Sequence, residues 1–146
     1  MATRSTIAVK LSDNSYQQVY CHWDGYLSNN GQKLLNFYNS QSLAELVTSH
    51  GGISSLHEHF STELPHTFDK PAKKVTVLYM RDTLELGLGL GLDINTKIFK
   101  DLEYFENNRQ VEEFNYLFEN GQWYVQFDDT EYLLLTQELI NKHKDY

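Results

Sequence analysis

Asn120-Gly121 interrupts two runs of alternating aromatic and polar residues, Glu113–Glu119 and Gln122–Phe127, and no other pattern in the chain constrains its fold as tightly. Asn and Gly best tolerate the positive φ angles of a type I′ turn, whose twist matches that of paired strands. Because side chains alternate with a period of two, such a short turn also dictates the register. It predicts Phe118 opposite Trp123, Tyr116 opposite Val125 and Phe114 opposite Phe127 on one face, with Glu119–Gln122 and Asn115–Gln126 on the other.

A second hairpin is predicted near the N-terminus. Ser5–Leu11 and Tyr16–Trp23 are rich in β-branched and aromatic residues and flank Ser12-Asp13-Asn14-Ser15, a run of residues that bond their own backbone in turns. Pairing Leu11 with Tyr16 would place Ile7, Val9, Leu11, Tyr16, Tyr20 and His22 on one face, with Cys21 and Trp23 on the other. Val75–Met80 reads as a third, central strand. Helices are expected over Asn30–Tyr38, over Ser42–His50 from the Ser42-Leu43-Ala44-Glu45 capping box, and in part over Thr96–Gln110. A C-terminal helix is expected over Thr130–Lys144, with an apolar stripe of Tyr132, Leu135 and Leu139 and charges that complement its dipole. Leu84–Leu92 alternates Leu with Glu or Gly, so it should be extended and suited to a contact between subunits. The fold class that follows is α+β: an antiparallel sheet of two hairpins plus a third central strand, carrying short helices and a packed C-terminal helix. One globular domain over residues 1–146 is expected.

Composition narrows the function classes. With 40% apolar and 14% aromatic residues, a chain of 146 can bury a core without a disulfide or structural metal. Cys21 is the lone cysteine, which suits a reducing compartment. No secretory leader is apparent and no apolar run approaches the roughly 18 residues of a membrane span, so a cytoplasmic protein without membrane contact is expected. The net charge is −8, from 12 Lys+Arg against 20 Asp+Glu, and no basic cluster is present. That balance argues against direct nucleic-acid binding.

Met1-Ala2-Thr3-Arg4-Ser5-Thr6-Ile7-Ala8 and Tyr20-Cys21-His22-Trp23-Asp24-Gly25-Tyr26 are joined by Gly52–Leu56, Pro65–Asp69, Tyr79–Asp82, Tyr116–Phe118 and Trp123–Val125 in a pattern covering most of the length. On these strings the chain resembles a family of small uncharacterised accessory proteins of tailed phages and prophages. The resemblance implies action in the host bacterial cytoplasm, where many phage accessory proteins counter host defence. It carries no chemistry with it.

Trp23-Asp24-Gly25-Tyr26 falls where the first hairpin ends, with His22 before it. One reading is a pocket rim, with rings to stack on a planar ligand and polar contacts from His and Asp. The other is a structural corner in which Asp-Gly makes a turn and Trp23 fills the core. His57, His59, His66 and Asp69 fall close together, but their spacing matches no zinc pattern, so no metal is expected. Arg81 leaves the third strand with Tyr79 just before it, and its fork of donors suits a phosphate or carboxylate; an ion pair with a neighbouring acid is the alternative. No acid–base pair, catalytic triad, nucleophile elbow or P-loop is present, and Cys21 and His22 fall on opposite strand faces. No catalytic residue and no cofactor are therefore assigned. The expected ligand-binding set is His22, Trp23, Asp24, Tyr26, His66, Asp69, Tyr79 and Arg81. The function expected is capture of a small host molecule, with a nucleotide-type immune signal as the leading candidate, by a homo-oligomer. Two alternatives stand beside it: an acidic inhibitor or DNA mimic acting on a host enzyme, and a small hydrolase pairing His22 or His66 with Asp24 or Asp69.

Overall fold

The computed structural model describes residues 2–60, 74–79, 95–128 and 130–143. The first hairpin is β1 (Ser5–Lys10) with β2 (Tyr16–Cys21), and the second is β6 (Phe114–Glu119) with β7 (Gln122–Phe127). Between them lie β3 (Ile53–Ser55), β4 (Val77–Leu78) and β5 (Lys97–Phe99), and β8 (Leu133–Leu134) follows. Among the described residues these make one sheet in the order β4-β3-β2-β1-β6-β7-β8, with β5 also on β2. A π-helical turn, Leu27–Gly31, leads into α1 (Gln32–Phe37), followed by α2 (Gln41–Thr48), α3 (Leu102–Asn108) and α4 (Gln137–Lys142). None of these helices is long and apolar enough to cross a membrane.

The class is α+β, and both hairpins are antiparallel. The sheet as a whole is mixed, because the hairpins meet through parallel pairing of β1 with β6 and β2 meets β3 in parallel at Cys21 and Ile53. Parallel neighbours need a long crossover, which the helix-bearing stretch between the hairpins supplies. The third strand is likewise not central. Only Val77–Leu78 pairs regularly, at the sheet edge beside β3, since β1 and β6 occupy the middle.

The second hairpin has the register its turn dictates, from Phe114 opposite Phe127 to Glu119 opposite Gln122, with Asn120 at φ 53° and Gly121 at φ 79°. The first hairpin is displaced by one residue. Lys10 pairs with Tyr16, leaving Leu11–Ser15 as a loop closed by Leu11 N–H to Ser15 C=O (2.8 Å) and by Asn14 at φ 68°. A one-residue slip exchanges faces. Ile7 and Val9 therefore share a side with Val19 and Cys21, while Tyr16 lies with Ala8 on the opposite side.

The larger core joins that first set to Tyr116, Phe118, Trp123 and Val125, beneath Leu34 of α1, Ala44 and Val47 of α2 and Ile140 of α4. The smaller cluster, on the other face, gathers Ala8, Tyr16, Phe99 and Leu117 under Phe105 of α3, whose ring stacks on Tyr16 at 4.6 Å. Helix α2 is capped by Ser40, whose hydroxyl accepts from Leu43 N–H (3.3 Å), two residues earlier than the Ser42 capping box suggests. The expected C-terminal helix divides. Leu133–Leu134 pairs with Tyr124 and Val125, satisfying the outer edge of β7, and Thr136 caps the shorter α4 through Leu139 N–H (3.1 Å). Tyr132 then packs on the smaller cluster, and Leu135 enters the larger core. The Leu84–Leu92 alternation lies outside the described residues.

Candidate functional site

Beyond β2 the chain turns a corner that its backbone holds tightly. His22 N–H donates to Ile53 C=O (3.0 Å), Trp23 N–H to Ser54 C=O (3.0 Å) and Gly25 N–H to Thr3 C=O (2.8 Å). A Cβ on Gly25 would come within 2.7 Å of Ser5 Cβ and 2.9 Å of the Thr3 carbonyl oxygen, so only glycine fits. Tyr116 donates its hydroxyl to Gly25 C=O (2.6 Å), and the buried Asn30 amide reaches Ser5 Oγ (3.3 Å), Cys21 Sγ (3.3 Å) and Trp23 C=O (3.4 Å). Asp24 adopts φ 57° at the tip. The backbone of this string is thus a structural corner, and its side chains carry a second feature. Trp23 is 40% exposed and meets the His22 ring edge-to-face at 4.6 Å. His22 Nδ1 lies 2.7 Å from the Tyr20 hydroxyl. Burial pushes the Tyr20 phenol up to about 12, so it stays protonated and donates, leaving the imidazole proton on Nε2. Burial, with the Arg4 guanidinium nearby, lowers the His22 pKa and keeps the ring neutral. The result is an exposed indole beside a neutral imidazole.

Next to it a polar row crosses the sheet. Thr6 stands opposite Tyr20 on one side and Asn115 on the other, and Asn115 stands opposite Gln126. Thr6 donates to Asn115 Oδ1 (2.9 Å). The segment following α3 is strapped over this row: Gln110 and Gln18 exchange two hydrogen bonds (both 3.0 Å), Asn115 exchanges two with the Glu112 backbone (both 2.9 Å), and Arg109 donates to Gln126. The Arg109 guanidinium also sits over the rings of Tyr132 (5.4 Å) and Phe105 (6.0 Å). Beside the strap opens a cavity of about 340 Å³ bordered by Arg109, Glu112, Glu113, Asn115, Gln126 and Asp128.

Arg4 lies between these features. It precedes β1 and, by alternation along the strand, shares the face of Thr6. Its charge acts on both Tyr20 and His22, and among the described residues its guanidinium has no ion pair or hydrogen bond. Reading the residues one by one missed Arg4; the period-two pattern Arg4, Thr6, Ala8 was the available signal.

Of the residues expected to bind ligand, His22 and Trp23 are together at this end of the sheet. Asp24 is exposed at the corner, where its carbonyl accepts from the Asn29 amide (3.1 Å). Tyr26 is half-buried against the larger core, on the opposite face, because the corner turns its ring inward. Tyr79 is fully buried beside β3, its N–H on Gly52 C=O (3.2 Å), and burial raises its phenol. His66, Asp69 and Arg81 lie outside the described residues. The Cys21 thiol is buried and pushed up to about 11 by desolvation, which makes it a poor nucleophile. Among the described residues no group of three or more His, Cys, Asp or Glu converges on a metal position. No family model, curated protein or solved structure matches the chain.

Proposed function

We propose that the protein is a non-catalytic phage accessory module that sequesters a small planar, anionic host molecule, of nucleotide type, at the Trp23–His22–Arg4 end of the sheet. The observation that carries this reading is the juxtaposition of an exposed indole, a neutral imidazole and a guanidinium with no internal partner among the described residues. Stacking of a base on an aromatic side chain contributes roughly 1–3 kcal/mol, and a guanidinium offers phosphate a bidentate contact. The phage setting rests on the resemblance at Thr3–Ala8 and Tyr20–Tyr26.

Capture is favoured over catalysis because His22 Nδ1 is occupied by Tyr20 and no carboxylate is hydrogen-bonded to the ring among the described residues. A general acid–base pair needs such contacts. Incubating the purified protein with a bacterial nucleotide extract, denaturing it and identifying the released molecules by mass spectrometry tests the reading. An intact nucleotide is the expected result. A chemically altered one would make the protein an enzyme, and release of nothing would transfer the case to the acidic inhibitor of a host protein.

A further inference from the structure

The cavity beside the strap continues the same face, and its lining differs in kind from the Trp23 end. Glu112 borders the cavity and also acts electrostatically on His22 and Tyr20, so the two features adjoin. A volume of about 340 Å³ lies at the small end of ligand pockets and has room for a purine base. The Arg109 Nη1 nitrogen is buried with no hydrogen-bond partner among the described residues. A buried donor in that condition is costly, and a ligand oxygen reaching the back of the cavity would relieve it. Asn115 and Gln126 each commit one amide N–H within the protein, to Glu112 C=O and Thr130 C=O, which leaves each a second N–H for an acceptor. The remaining border holds the carboxylates of Glu112, Glu113 and Asp128, which recognise N–H groups, and the apolar side chains of Val111, Phe114 and Phe127, against which a base can pack.

We propose, building on the nucleotide reading above, that this cavity takes a guanine and that the ligand is a guanine-containing dinucleotide whose second base stacks on Trp23. Guanine presents an O6/N7 acceptor pair that a guanidinium reads, and an N1–H/N2–H pair that a carboxylate reads. Adenine would turn its amino group toward the Arg109 and amide donors and offer no N–H pair to Glu112. Arg4 stands between the cavity and Trp23, where the linking phosphate would fall. His22 and Gln126, on the outer strands of this stretch, are about three strand spacings across and two residues along from each other, roughly 16 Å, a span suited to two bases joined by a phosphodiester.

The test is calorimetric titration of the unaltered protein with guanylyl-(3′→5′)-adenosine, adenylyl-(3′→5′)-adenosine and guanosine monophosphate. The guanine dinucleotide should bind about tenfold or more tightly than its adenine counterpart, the weight of one lost charge-assisted hydrogen bond, and also more tightly than the mononucleotide. Glu112→Gln, checked by melting, should erode that preference. Trp23→Ala should weaken both dinucleotides alike. Equal affinity for the two, or a preference that survives Glu112→Gln, would overturn the guanine assignment and leave nucleotide capture standing. Binding of none of the three, together with an empty extract experiment, would remove both.

Discussion

On the face covered by α1, α2 and α4, register rows run through Ile7, Tyr116 and Val125, and through Val9, Phe118 and Trp123, and what they bury is almost wholly apolar. On the other face, the row Tyr20–Thr6–Asn115–Gln126 buries or half-buries hydrogen-bonding groups, each with a partner. Apolar burial is non-directional and rewards contact area, so the first face serves stability. A polar row is tolerated only when every member is satisfied, which ties residues 109–113 to one position and leaves the unmatched groups, Arg4 and Arg109 Nη1, facing what the fold itself does not supply. The face that serves stability and the face proposed for recognition are opposite sides of one sheet.

The strongest way to probe this division is to cut into the dry face. Phe118→Ala removes a fully buried ring packed against Trp123 at 5.2 Å, and denaturant melts should show a loss of about 3–5 kcal/mol. A small loss would mean that the apolar side is not the main source of stability. On the polar side, Asn115→Leu strands the Thr6 hydroxyl and both Glu112 backbone groups, at about 1–3 kcal/mol for each left unpartnered. Hydrogen exchange should then rise across residues 109–113 before it rises in the helices; uniform exchange would mean that the strap is not held by this row.

Gly121→Val attacks the register that keeps the faces apart, since a β-branched side chain is strained at φ 79° even though a Cβ there meets open space. A loss of about 1–3 kcal/mol is expected by thermal melting, and a parental melting curve would show that the turn does not enforce the pairing. Arg4→Ala should separate recognition from stability. Its melting should stay within about 0.5 kcal/mol of the parent while affinity for the captured nucleotide falls about tenfold or more; the reverse pattern would make Arg4 structural.

The smallest effect concerns pH. Burial lowers the His22 pKa in the folded state, so the unfolded chain binds the extra proton first as pH falls. The stability that neutral His22 contributes is fully present above its ordinary value of about 6.5 and is lost as pH drops through the lowered folded pKa. His22→Gln should flatten that part of the stability–pH curve, and an unchanged slope would assign it to other groups.

Which parts of this architecture can be read from sequence follows the range over which each was decided. The second hairpin was legible to the residue because Asn120-Gly121 leaves no freedom in pairing. The first was misread by one step because Leu11–Ser15 closes as a longer loop, held by Asp13 accepting from Ser15 N–H (3.0 Å), a contact that residue type alone does not distinguish from its neighbours. Leu133–Leu134 carries a helical pattern but answers to the open edge of β7, a partner that exists only once the sheet has formed. The same holds at the candidate site. Trp23 and His22 stand out as a string, whereas Arg4 matters only because it faces their side, and Arg109 and Glu112 only because their segment crosses the row.

By itself, then, the sequence determined the α+β class, two hairpins, one register, and the aromatic corner at His22–Trp23, all set by neighbours within a few residues through φ preferences and side-chain alternation. Tertiary structure alone decided that β1 lies parallel to β6, which face Tyr20 and His22 occupy, and that Arg4, Arg109 and Glu112 border one surface. Those outcomes depend on contacts between residues about a hundred positions apart, such as Thr6 with Asn115 (2.9 Å), whose value appears only when the chain has already brought them together.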